Sequence, residues 1–340
     1  MKTFDGYMRG VNLGHWISQY DDGREEHWNS YITEDDFGKI ASWGLDHVRL
    51  PVDYMLFESD EKPGEYLESG LKYVDFALEA CRKNGLNMIL DLHHAPGFIF
   101  SNTTEKSNDL FSNERQQERF VNIWRMFARR YAGEGETLAF ELLNELVQET
   151  SEPWNALWQR TASEIEAVSP KRKIIIGGNR WNSADQLKHL ALPDDDNIVY
   201  TFHCYAPMLF THQRASWVGW LREYQRSVTY PLNTHEHREY FAGHDSYLLD
   251  RYDVVDKAAM ADFLRPAAEF ARTSGHALYC GEFGVHETAD MASTLRWHSD
   301  IIDLFNEYGI GRSVWSYKGF ARVTDPDGEA NMPLIEILAR

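Results

Sequence analysis

The sequence predicts an α/β protein of the (β/α)8 TIM-barrel class, forming one domain over residues 1–340. Eight short apolar runs alternate with longer amphipathic runs, as expected for parallel strands joined by helices. A chain of 340 residues is long enough to close such a barrel. A doubly wound open sheet is the alternative, but its glycine fingerprint is missing after the first strand. The closed barrel is therefore the preferred architecture.

The predicted strands are short apolar runs separated by turn-forming residues. They cover residues 7–13, 47–51, 87–92, 138–143, 173–177, 198–203, 277–282 and 312–317. Cys280 and Glu282 share the same parity along the seventh run, so we expect both side chains to face the barrel interior.

The predicted helices follow these strands and show an apolar period of about 3.6 residues. Thr33 caps the first helix, which stops at Gly44, and the second helix ends before Gly85. The later helices are predicted over residues 115–131, 154–168, 185–190, 256–273, 292–307 and 334–338.

One connection is abnormally long. About 50 residues separate His203 from the helix that begins near Asp256, whereas a βα loop usually has about 2 to 6 residues. We interpret residues 206–255 as an insertion subdomain between strand 6 and helix 6, on the face where barrel enzymes place their sites. A packing cap without ligand contact is the alternative.

Composition and charge restrict the class of partner. The chain has 34 Lys and Arg against 53 Asp and Glu, a net charge of −19, so phosphate backbones and anionic membrane surfaces would be repelled. Nucleic acid and membranes are therefore not expected as partners. The 11 Trp residues fill the core or supply flat stacking surfaces for a ligand.

Neither a disulfide framework nor an export signal is indicated. The three cysteines are widely spaced and form no C-x-x-C motif, which predicts buried free thiols. No run approaches the roughly 18 apolar residues of a membrane span, and the first residues lack the apolar core of a signal peptide. As given, the chain is expected to be cytoplasmic and monomeric, although a secreted chain without its signal would look the same.

Polar side chains gather where the predicted strands end. In a barrel of parallel strands, all the carboxyl ends lie on one rim. A single polar residue there is satisfied structurally in many barrels, but a whole ring of them indicates a site. The ring consists of Arg49, His93, His94, Asn144, Glu145, His203, Tyr205, Glu282 and Trp315.

Two carboxylates in this ring carry the main chemical hypothesis. Glu145 follows the fourth strand and Glu282 follows the seventh, so both are expected to face the same cavity. Paired carboxylates flanking a glycosidic bond hydrolyse it, one as the proton donor and the other against the developing oxocarbenium ion. Two ordinary salt-bridged glutamates are the structural alternative.

Six segments, in order, resemble a known motif series: HVRLP, LDLHHAPG, LLNE, FHCY, YCGEFG and VWSYKG. The series is similar to that of glycoside hydrolase family 5 in clan A. NLGHWISQY, ELLNE and LYCGEFGV resemble the endoglucanase C type of clostridial cellulase in particular. The likeness covers nearly the whole chain, and its order and strand positions make it specific.

The resemblance implies a retaining endo-β-1,4-glucanase that hydrolyses internal bonds of soluble or mixed-linkage β-glucan, in polysaccharide or oligosaccharide form, without a cofactor or metal. A β-mannanase or glucomannanase, and a transglycosylase, are alternatives on the same scaffold. A sugar-binding protein without chemistry is a further alternative, but it predicts loss of a catalytic carboxylate, and both are present.

The resemblance also implies roles for individual residues. Glu145 matches the acid/base of double displacement and Glu282 matches the nucleophile. Asn144 matches the residue that hydrogen-bonds the 2-hydroxyl of the sugar being cleaved. All three positions carry the residue type that the family's pattern requires.

Five further residues match substrate-binding positions of the family. Arg49 and Tyr205 match groups around the nucleophile, and His93 and His203 match polar wall residues of the same subsite. Trp315 matches the aromatic platform beneath the sugar.

The two carboxyl groups need different pKa values for these roles. We expect Arg49 and Tyr205 to lower the pKa of Glu282, because a cation and a phenol donor favour the ionised form. A drier setting should raise the pKa of Glu145 toward about 6 to 7, so that it holds a proton near neutral pH.

Histidines close in sequence invite a metal interpretation, which we do not prefer. His93 and His94 are adjacent, so their side chains point in opposite directions along a strand. The H-E-x-x-H motif of zinc hydrolases is absent from the sequence. A metal-dependent barrel hydrolase therefore stays a minor alternative.

Overall fold

The computed structural model describes residues 1–20, 23–100, 108–241, 244, 246–325 and 328–340, and eight parallel strands form a closed barrel at its centre. The predicted fold class is confirmed. Around the barrel the order is β1, β2, β3, β4, β5, β6, β9, β10 and back to β1. The barrel strands are β1 Gly10–Asn12, β2 His47–Asp53, β3 Asn87–His94, β4 Leu138–Glu141, β5 Lys173–Gly177, β6 Ile198–Cys204, β9 Ala277–Phe283 and β10 Gly311–Val314.

Helices surround this barrel and bury their apolar faces against it. Thirteen α-helices lie within the described residues, and the longest are those that cross over between barrel strands. They are α1 Glu25–Ser30, α2 Glu34–Ser42, α3 Glu68–Asn84, α4 Glu114–Arg130, α5 Glu152–Glu166, α6 Asn179–Asn182, α7 Met208–Thr211, α8 Gly219–Arg222, α9 Arg238–Phe241, α10 Ser246–Leu249, α11 Lys257–Thr273, α12 Met291–Tyr308 and α13 Met332–Leu338.

Local sequence signals explain where several helices begin and end. Thr33 and Asp36 form a reciprocal capping box at the start of α2. Gly85 ends α3 in the left-handed conformation, with φ of 68°, which glycine adopts without strain. The predicted helix over residues 185–190 is instead a 3-10 helix, Ala184–His189, because its backbone closes tighter turns, as from Gln186 N–H to the Ser183 carbonyl.

Buried apolar and aromatic side chains fill the barrel interior near the amino-terminal ends of the strands; we call this lower half of the interior the plug. Most of its side chains come from inward-facing strand positions, and Phe4 and Tyr7 come from the segment before β1. Tyr279, a member of this plug, shares a hydrogen bond of 2.7 Å with His47. The plug contains Phe4, Tyr7, Ile89, Ala139, Ile175, Val199, Ala277 and Tyr279.

A β-bulge in β9 changes the direction in which the Cys280 side chain was expected to point. Phe202 in β6 pairs with Cys280, but the next residue, His203, pairs with Glu282, so Gly281 is the extra residue. Cys280 consequently packs in the outer core between sheet and helices, while Glu282 turns inward. The expectation that the thiol faces the interior was wrong, because the alternation of side chains resets at the bulge.

The stretch 206–255 contains the short helices α7 to α10 and two short strands, β7 Leu232–Asn233 and β8 Val254–Val255, which pair antiparallel. Most of its described apolar side chains are buried and join the main core. Its boundaries as a separate subdomain stay a prediction, and residues 242, 243 and 245 lie outside the described part of the chain. Among the described residues, no helix is both long and apolar enough to cross a membrane.

Candidate active site

The structure brings all eight predicted site residues into one connected cluster at the carboxyl rim. A fully buried guanidinium, that of Arg49 in β2, lies at its centre. Its Nε and Nη2 donate to the two carboxylate oxygens of Glu141, at 2.7 and 2.9 Å. Nη1 donates to Glu282 at 2.9 Å, and Nη2 lies 3.0 Å from the Asp91 carboxylate. Burial alone would lower the pKa of Arg49, but these three carboxylates raise it well above its ordinary value.

Glu282 lies at the end of β9 and is held from two sides. Arg49 donates to one carboxylate oxygen, and the Tyr205 hydroxyl donates to the other at 2.9 Å. Burial raises the pKa of Glu282 above its ordinary value and outweighs Arg49 and Tyr205, which lower it. The expected net lowering was therefore wrong, since desolvation of the carboxylate is the largest effect.

Glu145 lies beyond β4 in a strained backbone conformation. Its φ of 46° is in the left-handed region, which is uncommon for a residue with a Cβ and is found at functional sites. Burial raises the pKa of Glu145 to about 8, and Arg49 opposes this shift only in part. The direction agrees with the expectation for a proton donor.

His203 in β6 connects the two carboxylates. Its Nδ1 lies 2.7 Å from Glu145 and 3.7 Å from Glu282. Asn182 Nδ2 lies 3.2 Å from His203 Nε2, and an amide NH2 can only donate, so Nε2 accepts and Nδ1 carries the ring proton. Burial lowers the pKa of His203 to about 4, so the ring is neutral and donates to Glu145.

Asn144 is oriented by a chain of contacts from the opposite side. Its Oδ1 accepts from Arg49 at 3.0 Å, which leaves Nδ2 facing His93 Nε2 at 3.3 Å. His93 Nδ1 in turn lies 2.7 Å from Asp91. Burial raises the pKa of Asp91 to about 7, with Arg49 opposing that shift. The amide is thereby fixed before any ligand arrives.

Trp315 follows β10 and forms the aromatic floor of the rim. Its ring stacks on His93 with centroids 5.9 Å apart and an interplanar angle of 21°. A Cβ at Gly14 would lie 2.7 Å from the indole ring, so only glycine permits this close approach.

Ligand atoms of the two glutamates lie close together. Glu145, His203 and Glu282 each offer a ligand atom within 4.8 Å of the others. Retaining glycosidases hold their carboxyl groups about 5 to 5.5 Å apart, whereas inverting enzymes hold them about 6.5 to 9.5 Å apart. Among the described residues this is also the group that could hold a metal ion.

Several polar residues that belong to the cluster carried no predicted role. Asp91 and Glu141 lie two positions beyond the inward-facing Ile89 and Ala139, so strand alternation could have found both. Asn12 accepts from Arg49 at 2.9 Å and could have been found in the same way on β1. Asn182, on an irregular left-handed turn, left no such signal.

His94 was counted in the predicted ring but given no catalytic or binding role. Its Nδ1 lies 2.8 Å from Asp53, which also accepts from Ser18 at 2.6 Å. The histidine therefore lies beside Asp53 at the edge of the cluster.

A model of one enzyme family matches residues 10–321, which is most of the chain. That family is described as cellulase, glycosyl hydrolase family 5. The chain belongs to this family. The resemblance found in the motif series is thereby confirmed.

Individual relatives agree with the family assignment. The chain is 45% identical to endoglucanase C of Acetivibrio thermocellus over 98% of both chains. It is 35% identical to cellodextrinase A of Ruminococcus flavefaciens, covering 90% of this chain and 84% of that protein. Among solved structures, a mutant form of Thermotoga maritima Cel5A in complex with cellobiose superposes with a TM-score of 0.81 at 26% identity, over all of both chains.

Proposed function

We propose that this family 5 protein is a retaining endo-β-1,4-glucanase that hydrolyses internal bonds of soluble or mixed-linkage β-glucan by double displacement. The similarity to endoglucanase C over nearly its full length supports the activity. One carboxylate oxygen of Glu145 lies within 4.8 Å of one carboxylate oxygen of Glu282, and this close approach supports retention over inversion.

In the first step, Glu282 attacks the anomeric carbon while Glu145 donates its proton to the departing glycosidic oxygen. The raised pKa of Glu145, caused by burial, keeps this proton in place at neutral pH. His203 donates to one oxygen of Glu145, so the other oxygen can carry the proton toward the substrate. The bond to the leaving sugar breaks as a covalent bond to Glu282 forms.

In the second step, Glu145 is ionised and accepts a proton from water, which attacks the anomeric carbon and releases Glu282. The two inversions together restore the original β configuration. Arg49 and Tyr205 each donate to Glu282 and stabilise its charge as it departs. Asn144 is positioned to bond the 2-hydroxyl, a contact that strengthens in the transition state of glycosidases.

Burial of the cluster strengthens each of these interactions. Trp315 is buried against His93, and the fully buried Arg49 has no contact with solvent. Electrostatic interactions between groups held in such a dry site act at low effective dielectric, and little reorganisation is needed during the reaction.

Glucomannan is a second candidate substrate, favoured by one observation. A structure of Thermotoga maritima Cel5A in complex with mannotriose matches this chain with a TM-score of 0.80 at 26% identity, covering 99% of this chain and all of that one. The choice between glucose and mannose depends on contacts around the 2-hydroxyl, which is where Asn144 lies. Transglycosylation stays an alternative fate of the glycosyl-enzyme.

We further propose that the protein acts as a monomer and binds no membrane. Support for the monomer comes from the closed barrel, whose site residues are all supplied by one chain. The cytoplasmic location also stays a prediction, which fractionation of the source cells would test.

The decisive test compares the intact protein with Glu145→Gln and Glu282→Gln on barley mixed-linkage glucan, carboxymethyl cellulose and glucomannan. Chain-length loss and the anomeric form of the first products are followed together. We expect β-anomeric products from the glucans and near-complete loss in both variants. Release of α-anomeric products would contradict retention, and sugar binding without cleavage by the intact protein would overturn the activity.

A further inference from the structure

The two catalytic carboxylates and the imidazole beside them also form a set of metal-ligand atoms. Glu145, His203 and Glu282 each offer one such atom, and all three atoms lie within 4.8 Å of one another. His203 Nδ1 lies 2.7 Å from Glu145 and 3.7 Å from Glu282. A tetrahedral zinc ion holds its ligand atoms about 2.0 to 2.2 Å away and thus about 3.3 to 3.6 Å from one another. Small side-chain movements would therefore bring the three atoms around one ion.

The charge around these atoms favours a cation. Arg49 contributes one positive charge, and its ion-pair partners are three carboxylates. These belong to Asp91, Glu141 and Glu282. Glu145 adds a fourth carboxyl group, so negative charge is in excess when these groups are ionised. A divalent cation would compensate this excess, and the net charge of −19 on the whole chain also attracts cations.

The imidazole determines which ions suit the site. Mg²⁺ and Ca²⁺ prefer octahedral or larger sets of oxygen ligands, whereas an imidazole nitrogen suits zinc and its neighbours among the transition metals. Zinc sites with three protein ligands keep a fourth position for water. The side chains of Glu145 and Glu282 are 13% and 7% exposed, so an ion can reach them from solvent.

The ring proton of His203 must move before Nδ1 can bind a metal ion. Nδ1 carries this proton, because Nε2 accepts from Asn182 Nδ2 at 3.2 Å. In a metal-bound neutral histidine the proton sits on the other ring nitrogen, which donates it to a carboxylate, a carbonyl oxygen or water. His203 Nε2 would therefore need an acceptor in place of the donor that now faces it.

Asn182 contains the acceptor that this second tautomer needs. Its side chain is fully buried, and its Oδ1 accepts no hydrogen bond from any described residue. A half-turn of the amide would place Oδ1 opposite His203 Nε2. A Cβ at Gly177 would lie 2.3 Å from Oδ1 and 2.8 Å from Nδ2, so the glycine leaves the space in which the amide can turn. The same two residues thus have a second hydrogen-bonding arrangement, which would satisfy the unpartnered oxygen.

We propose that Glu145, His203 and Glu282 bind one Zn²⁺ ion, with Asn182 turned to accept from His203, and that this ion inhibits the enzyme reversibly. The ion would lie between the two carboxylates, in the space that the anomeric carbon and the leaving oxygen occupy during the reaction. Both carboxylates would be engaged, so neither nucleophilic attack nor proton donation could proceed. The inhibition rests on the proposed function, whereas the binding of zinc does not.

Calorimetric titration of the chelator-treated protein with zinc chloride tests the site without relying on activity. We expect one zinc ion per intact chain, and an affinity more than about 100-fold lower in His203→Gln, which loses a ligand. Asn182→Leu removes the acceptor and should weaken binding about 10 to 100-fold, the usual cost of losing a group that orients a metal ligand. Asn182→Asp supplies a carboxylate acceptor and should tighten binding, a change that damage to the fold would not produce.

His235→Gln is the matched control, because His235 lies 2.8 Å from Asp253 in an exposed histidine–carboxylate pair outside the catalytic centre. Its zinc affinity and stoichiometry should equal those of the intact protein. Absence of zinc binding by the intact protein, or unchanged binding in His203→Gln, would overturn the metal site while leaving the proposed activity standing.

Steady-state kinetics on mixed-linkage glucan tests the inhibition. Zinc should raise KM without changing kcat, excess EDTA should restore the rate, and Mg²⁺ at the same concentration should have no effect. A decrease of kcat at unchanged KM would overturn competition at the catalytic centre. Zinc binding by an intact protein that cleaves no glucan would overturn the proposed function but leave the metal site standing.

Discussion

The two ends of the barrel interior are built from the same strands, but one is filled by apolar side chains and the other by charged ones. The lower end is a plug of packed apolar and aromatic side chains. The upper end places the Arg49 cation among Asp91, Glu141 and Glu282, all buried. Close side-chain packing at the lower end stabilises the folded state. At the upper end, removing charged groups from water lowers the stability of the folded state.

The difference separates the part that stabilises the fold from the part that performs chemistry. Buried charges that are paired imperfectly cost stability and are retained where a reaction needs them. The strained φ of Glu145 lies at the upper end as well. We therefore expect substitutions at the upper end to cost activity and substitutions at the lower end to cost stability.

The largest expected effect is that of Glu282→Gln at the upper end. The amide cannot form the glycosyl bond, so kcat on glucan should fall on the order of 10⁴-fold or more, as when other catalytic nucleophiles are removed. The free energy of unfolding should not fall, because a buried carboxylate with a raised pKa is replaced by a neutral group. Steady-state kinetics and urea unfolding of one preparation would check both; a large loss of stability would break the comparison.

Ile175→Ala tests the lower end. Ile175 is fully buried in the plug, and truncating such a side chain leaves a cavity that costs about 2 to 5 kcal/mol of unfolding free energy. Well below the melting temperature, kcat should stay close to that of the intact protein. Urea unfolding measures the first effect; a kcat loss comparable to that of a rim variant would show that the two ends are not separable.

Glu141→Gln tests how a residue at the upper end affects activity indirectly. Glu141 hydrogen-bonds Arg49 and, in the described contacts, does not hydrogen-bond Glu282. Loss of a charged hydrogen-bond partner is worth about 1.5 to 3 kcal/mol, so kcat should fall by about 10 to 100-fold with little change in KM. With one carboxylate removed, Arg49 acts more strongly on Glu282 and lowers its pKa.

The acidic limb of the kcat/KM profile should therefore move to lower pH in Glu141→Gln. Glu141→Asp keeps the charge and is the matched control, with a smaller movement of the limb. An unmoved acidic limb in the Gln variant would mean that Glu141 acts only through folding.

The smallest expected effect is a decrease of kcat/KM at high pH, which we assign to ionisation of Glu145. Burial raises the pKa of Glu145 to about 8, so its protonated, active form is lost as pH rises through that value. The kcat/KM of the intact protein on glucan should fall above about pH 8. With Glu145→Gln and a dinitrophenyl cellobioside, which needs no proton donor, the basic limb should vanish. A limb that persists would assign it to another group.

Much of the barrel could be predicted from sequence because its signals are local. Strand runs, the Thr33 cap and the Gly85 stop depend on neighbouring residues. The ring of site residues could also be predicted, because each member lies at the carboxyl end of a predicted strand and a closed barrel places all those ends on one rim.

What could not be predicted depends on contacts distant in sequence. The bulge at Gly281 reverses the direction of the Cys280 side chain, and the only local sign of it is a glycine inside the strand run. The balance of burial against Arg49 and Tyr205 sets the pKa of Glu282, and its outcome needs the depth of the site. The left-handed turn that brings Asn182 to His203 is likewise set by tertiary structure.

Covalent trapping tests the central claim, that Glu282 forms the glycosyl-enzyme, most directly. The intact protein is incubated with a 2-deoxy-2-fluoro cellobioside carrying a dinitrophenyl leaving group, and peptides are mapped by mass spectrometry. The account predicts one added fluoroglycosyl group, located on Glu282 and absent in Glu282→Gln. A label on any other residue, or turnover of glucan to α-anomeric product with no label, would contradict it.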